Sequence, residues 1–369
     1  MGMKRLTAVL AGLALAGAGG AAISAAAASA APVHQAVKAA PPGGPVPAGF
    51  EVASVTFVSA ADGWVLGTTK TCAHAPCTAV LRTTNGGRTW AGIPAPRFRL
   101  APDPGSAGLE RLRFASTSTG FAYGSQLWVT RNGGASWHRV RQVPGDITDL
   151  ETAGGTVYAT ADRGGMVRVY STPVGATAWH RVAALAATAG SAGLGSITLY
   201  GHAAWIILGE RIYHSAAGSS WSRLGFSCPA DWGIASLAAA NAQHVSVLCA
   251  GSPGLGSTRK RVYVSASGGS AFTLAGHPPA GGDGGLLAEP TSRHLFIATA
   301  SGASWTYVST DGGRHWARGT LSRDDGGLGW NDFGFTTARQ GVAVEGRPAF
   351  GSALWITRDA GAHWHKVVF

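Results

Sequence analysis

The string STDGGRHW at residues 309–316 reads as a tight turn ending in tryptophan, and TTNGGRTW (83–90), TRNGGASW (130–137) and TRDAGAHW (357–364) nearly repeat it. Asp311 and Asp359, with Asn85 and Asn132 in the same place, can hydrogen-bond the backbone two residues on, and Gly supplies the positive φ of a hairpin connection. The closing Trp starts the next strand, covers the hairpin with apolar surface and offers its indole N–H to a backbone acceptor. Three weaker copies keep the register. STPVGATAW (171–179) has one extra residue, HSAAGSSW (214–221) has Ala216 in place of the acid, and SASGGSAF (265–272) has Ser267 there. Aligned on the last aromatic, the turns end at Trp90, Trp137, Trp179, Trp221, Phe272, Trp316 and Trp364, with gaps of 47, 42, 42, 51, 44 and 48 residues. A period in the forties marks a repeat architecture.

Ahead of each turn lie short apolar runs broken by Gly or polar residues: VASVTFVSA, DGWVLGT and TAVLRTT in the first unit, LERLRFAST, GFAYGS and LWVTRN in the second. No amphipathic helical period intervenes. Each unit therefore reads as a four-stranded antiparallel sheet, with the turn joining strands three and four. One such sheet cannot bury both faces, but seven packed radially can, which predicts an all-β, seven-bladed β-propeller over residues 50–369. The 55 glycines show no Gly-X-Y period, which excludes collagen and fits many tight turns.

S/T-x-D-x-G-x-x-W resembles the Asp-box, or BNR repeat, of sialidases, sortilin-type receptors, xyloglucan-cleaving glycosidases and photosystem II assembly factor-like propellers. The strings VTFVSAADGWVLG (55–67) and LRFASTSTGFAYG (112–124) bring the chain nearest to the last group. The likeness runs from residue 50 to the end and implies the fold. It implies no particular activity, because these families share the box and do unrelated things.

Residues 1–30 read as a secretory signal: Lys4 and Arg5, an Ala-rich apolar stretch, then Ala28-Ser29-Ala30 as a cleavage site. Its removal leaves 27 basic and 18 acidic residues, a net charge of +9, with no further membrane span expected. Residues 31–49 read as a Pro/Gly/Ala-rich linker. Export suits disulfides, and of three possible pairings Cys72 with Cys77 and Cys228 with Cys249 each close a local loop. Neither pair has the C-x2-C spacing of structural zinc. The expected product is a secreted monomer without metal or cofactor.

In a propeller the loops from strand four to the next strand one, and from strand two to strand three, share one face. That face should gather Arg97, Arg99, Arg163, Arg259, Lys260, Arg323 and Arg347, groups suited to carboxylate, phosphate or sulfate. Trp232 and Trp330, beside Asp231 and Asp332, are candidate sugar platforms or loop anchors. Together these residues point to a scaffold that holds a protein or an anionic cell-envelope glycan, with nucleic acid disfavoured by export. The alternative is a glycoside hydrolase. For that the Arg-Ile-Pro string of sialidases is missing, six of seven tyrosines fall on second or third strands, and Tyr200 is alone on a first strand. Asp231, Asp324, Asp325, Asp332 and Glu345 offer carboxylates, but no spacing selects an acid and base pair. No P-loop or HExxH helix is present.

Overall fold

The computed structural model describes residues 43–69, 77–186, 195–252, 254–324, 327–348 and 350–369. The expected signal segment, most of the linker, Cys72 and Asp325 lie outside them. Among the described residues twenty-eight strands form seven sheets, each built from four consecutive antiparallel strands. Blade 1 runs through β1 (Phe50–Phe57), β2 (Gly63–Thr69), β3 (Thr78–Thr83) and β4 (Ala91–Ile93). The first strands of the other blades are β5 (Leu109–Phe114), β9 (Asp146–Ala153), β13 (Gly195–Tyr200), β17 (Gly233–Ala239), β21 (Asp283–Thr291) and β25 (Trp330–Phe335). This is the expected seven-bladed propeller. No helix among the described residues is long and apolar enough to cross a membrane.

Burial peaks in the second strand of a blade and falls toward its outer edge. Every residue of the second strands β6 (Gly120–Gly124) and β14 (Ala203–Leu208) is buried, whereas the fourth strand β16 (Ser222–Arg223) is exposed. The apolar clusters form between blades, where one sheet face meets the next. Trp64 of blade 1 stacks on Phe114 of blade 2 at 3.8 Å, and Phe296 of blade 6 on Phe335 of blade 7 at 4.6 Å. No blade buries its apolar faces without neighbours on both sides, so stability belongs to the ring.

The repeated turns are held by two acceptors. The Ser or Thr that opens the turn accepts the N–H four residues on: Thr83 from Gly87, Thr130 from Gly134, Ser265 from Gly269, Ser309 from Gly313 and Thr357 from Gly361, at 2.8–2.9 Å. The Asn or Asp oxygen also reaches four residues on, from Asn85 to Thr89, Asn132 to Ser136, Asp311 to His315 and Asp359 to His363, at 2.9–3.0 Å. That span exceeds the two residues expected, because the turn is a longer loop closed from both ends. Indole N–H partners are mixed. Trp137 donates to Pro94 O at 2.9 Å and Trp316 to Gly313 O at 2.8 Å, but the buried indole nitrogens of Trp90 and Trp221 have no partner.

Each well-formed turn is tied to the loop between strands one and two of its own blade. Gly86, Gly133, Gly268, Gly312 and Ala360 donate to Ala61, Ser118, Gln243, Arg293 and Arg339 carbonyls at 2.8–2.9 Å. These connections define a turn face, and the remaining loops define the opposite loop face. Gly86, Gly133, Gly268 and Gly312 have φ of 68–78°, and Ala360 takes the same left-handed conformation at 61°.

Among the described residues the ring closes without a shared strand. Blade 7 is completed by its own consecutive strands, and its seam with blade 1 is made by side chains. Phe369 meets Phe50 at 4.9 Å and Trp90 at 5.8 Å, and Gln340 Nε2 donates to Ala60 O at 3.2 Å. The end of the expected linker pairs with the outer edge of blade 1, Gly44 and Gly92 exchanging backbone bonds of 2.8 and 2.9 Å.

Candidate functional site

The first strands line a central channel, and irregularities in them decide what faces it. Pairing with the second strand slips by one residue at Ala53, Glu110, Thr148, Ala235 and Asn331, and resumes at Ser54, Arg111, Asp149, Ser236 and Asp332. A bulge re-aims the side chains that follow it. Here all five of those residues are polar, and four of them join neighbouring blades around the channel wall. Asp332 Oδ2 accepts Ser54 Oγ at 3.0 Å and Val55 N at 3.3 Å, and Ser54 Oγ accepts Leu112 N at 3.2 Å. Tyr123 OH donates to Asp149 Oδ1 at 3.1 Å, whose Oδ2 accepts Ile197 N at 2.8 Å. Thr198 Oγ1 donates to Leu237 O at 2.9 Å, and Ser236 Oγ accepts Leu287 N at 3.0 Å. Trp330 Nε1, donating to Thr299 O and Trp305 O at 3.1 Å, completes the circuit from blade 6 to blade 7. The fifth residue, Arg111, reaches across to the Asn331 carbonyl of blade 7.

Arg113 lies at the centre of the charged layer, with Nε 2.8 Å from Glu151 Oε1 and Nη1 3.5 Å from Asp332 Oδ2. Burial opposes its charge, yet Glu151 and Asp332 raise its pKa well above the usual value. Burial also pushes Asp332 up, but Arg113, Arg111 and the bonds from Val55 and Ser54 bring it below the usual carboxylate range. Asp149 is raised, chiefly by burial. Glu151 is pushed up to about 7 by burial, with Asp149 and Asp332 adding to the shift and Arg113 opposing it. Toward the turn face this layer gives onto a cavity of about 640 Å³ lined by all seven first strands.

On the loop face the structure places Arg97 and Arg99 between β4 and β5, and Arg163 at the end of β10 (Thr156–Arg163). Arg259 precedes β19 (Lys260–Ser265), Arg323 follows β24 (Ala317–Arg318), and Arg347 ends β26 (Gly341–Arg347). All six are exposed. Arg323 and Arg347 lie 3.9 Å from Glu345 and Asp103. Lys260 must be withdrawn from the expected binding set. It is 2% exposed, and its ammonium donates to the carbonyls of Thr258, Ala280, Gly281 and Gly282 at 2.7–3.1 Å. Trp232 packs beside the Cys228–Cys249 disulfide under the Arg261 guanidinium at 4.9 Å, and Trp330 begins β25 with its N–H engaged, so both are anchors. Sequence reading missed four exposed apolar tips on this face: Met166, Leu255, Leu328 and Phe350. They are isolated within polar loops, so no periodic pattern marked them.

The expected carboxylates are dispersed. Asp324 accepts the Trp305 indole at 3.0 Å and Arg318 at 2.6 Å, Glu345 accepts the Trp355 indole at 3.3 Å, and Asp231 is exposed with φ 64°. Asp332, expected in a loop, is instead in β25 and lines the channel.

No family model matches this chain, and no curated protein matches it. Solved structures match its shape. YCF48 from Cyanidioschyzon merolae aligns with a TM-score of 0.60 at 18% identity, covering 86% of this chain and 98% of that one. YCF48 bound to D1 peptide gives 0.56 at 15%, covering 85% and 95%. The chain has a YCF48-like fold. The expected resemblance to photosystem II assembly factor-like propellers is thus found in shape. The β-propeller domain of the trilobed protease from Pyrococcus furiosus, described as having an open velcro topology, gives 0.50 at 7%, covering 88% and 97%.

Proposed function

We propose that this chain is an exported, non-catalytic scaffold that holds an acidic segment of a protein partner on its loop face, outside the cell or at its envelope. One observation carries the reading: six exposed arginines share that face with the exposed apolar tips Met166, Leu255, Leu328 and Phe350. Arginine with apolar side chains is the composition of protein-binding surfaces, and its fork matches carboxylates. Binding of D1 peptide by a protein of this fold supports a peptide ligand. The basic balance of the chain favours an anionic one.

The test uses the full chain against an immobilised acidic peptide bearing aromatic residues and against an anionic wall polymer. Peptide retention should fall with salt and drop further when Arg97, Arg99, Arg163 and Arg259 are changed to Glu. Retention by the polymer alone would replace the peptide with a glycan. Sustained glycan turnover abolished at one carboxylate would replace the scaffold with a hydrolase.

A further inference from the structure

The channel opens a second possibility at the other end of the molecule. Its turn-face half has one lining cation, Arg113, against three lining carboxylates, Glu151, Asp332 and Glu289. Asp332 Oδ2 accepts from Ser54, Val55 and Arg113, whereas Glu151 has Arg113 as its one side-chain hydrogen-bond partner among the described residues and keeps 28% of its side chain exposed. Glu289 is 6% exposed, pairs with His244 through Oε1 at 2.6 Å, and is further stabilised by the Ser246 hydroxyl and the Ala240 N–H. Beyond the charged layer the lining sets the small residues Ala115, Ala288 and Gly334 beside larger apolar ones such as Leu199 and Phe335. A Cβ placed at Gly334 would meet nothing within 4 Å. A volume of about 640 Å³ suits a small ligand or an inserted side chain.

We propose that this half of the channel binds a linear cation, an ammonium or guanidinium head on an apolar stem, with the head at Glu151 and the stem along the apolar wall beside Gly334. The head supplies the positive charge that Arg113, divided between two carboxylates, does not. The groups facing Glu151 are Arg113 from β5, Asp149 on its own strand, Asp332 from β25, and Tyr123 and Tyr158 from the second strands packed behind. Glu151 carries a proton about half the time near neutrality. An ammonium titrates far higher, so binding displaces that proton. Affinity is therefore about ten-fold weaker at pH 6 than at pH 8 for a carboxyl with a pKa of about 7.

Two sources share this chemistry: a free diamine, and a lysine or arginine side chain on a partner. Calorimetric titration of the full chain with 1,5-diaminopentane and with acetyl-Gly-Lys-Gly-amide separates them. The proposal expects at least one probe to bind at pH 8 with millimolar affinity or better and to weaken at pH 6. Glu151→Gln should weaken binding at least ten-fold and flatten the pH dependence. Gly334→Phe should abolish binding while the unfolding midpoint is kept. Binding by the diamine alone or by the peptide alone identifies the source. Failure of both probes at pH 8, or undiminished binding in both variants, overturns the site, and neither result bears on the loop face.

Discussion

Because blades 7 and 1 share no strand among the described residues, the seam between them should open first, and Asp332 is its strongest polar tie. Replacing Asp332 with Ala removes the bonds to Ser54 Oγ (3.0 Å) and Val55 N (3.3 Å) and leaves Arg113 with Glu151 as its remaining carboxylate beside the Val55 and Leu112 carbonyls. Bonds to a buried charge contribute about 1.5–3 kcal/mol each, and breaking a buried pair costs about 3–5 kcal/mol, so a loss of about 3–5 kcal/mol is expected. Asp332→Asn keeps an acceptor without charge and should lose about 1–2 kcal/mol. The folded pKa of Asp332 lies below its ordinary value of 3.8, so this contribution is present above about pH 4 and disappears as pH falls through the folded value. Denaturant unfolding at pH 7 measures the loss, and amide exchange read by mass spectrometry locates it. Exchange should accelerate in β1 and in β25 through β28 (His365–Lys366), while blades 3 to 5 stay protected. A loss below about 0.5 kcal/mol, the scale of an ordinary surface substitution, or exchange rising equally in every blade, would refute the reasoning.

Glu151 behaves in the opposite sense. Its folded pKa of about 7 exceeds the ordinary 4.5, so stability falls as pH rises between those values and the full cost remains above 7. With solvent screening at a partly exposed side chain, Glu151→Gln should gain about 1–2 kcal/mol at pH 8 and nothing near pH 4, and a loss at pH 8 would contradict the assignment. Ala360→Gly should stabilise by about 0.5–1 kcal/mol, because Ala360 holds a φ of 61° where the other turns use Gly; an unchanged unfolding midpoint would count against strain there. Gly86→Ala should do the reverse and more, its Cβ falling 2.7 Å from Ala60 O. Replacing Cys228 and Cys249 together with Ala should cost about 3 kcal/mol for a loop of 21 residues, and an oxidised protein no more stable than its reduced form would contradict that.

The seven blades and their four strands were legible because local chemistry repeats, and each closing aromatic, expected to start strand four, lies one residue before it. A hydroxyl, an amide or acid oxygen, glycine and tryptophan at set offsets make the same turn wherever they occur. Trp64 and Trp205 on second strands, and Trp128 and Trp355 on third strands, followed from the same register. The site was harder to read. Ser54-Val-Thr-Phe, Arg111-Leu-Arg-Phe and Asp332-Phe-Gly-Phe occupy the same place in three blades, and their leading polar residues were the available signal. Ser54 and Arg111 were passed over, and Asp332 was assigned to a loop, because a bulge leaves no mark in an alternating pattern. Lys260 was misjudged for a related reason: a lysine beside two arginines in a Gly-rich connection reads as solvated, and nothing local shows four carbonyls converging on it.

The amino-acid order by itself determined the blade, because turn chemistry and strand alternation act over fewer than ten residues. Only the tertiary structure decided how the ring is closed and which charges meet in its channel. Those contacts join residues such as Ser54 and Asp332, 278 positions apart, and exist only when seven sheets converge on one axis.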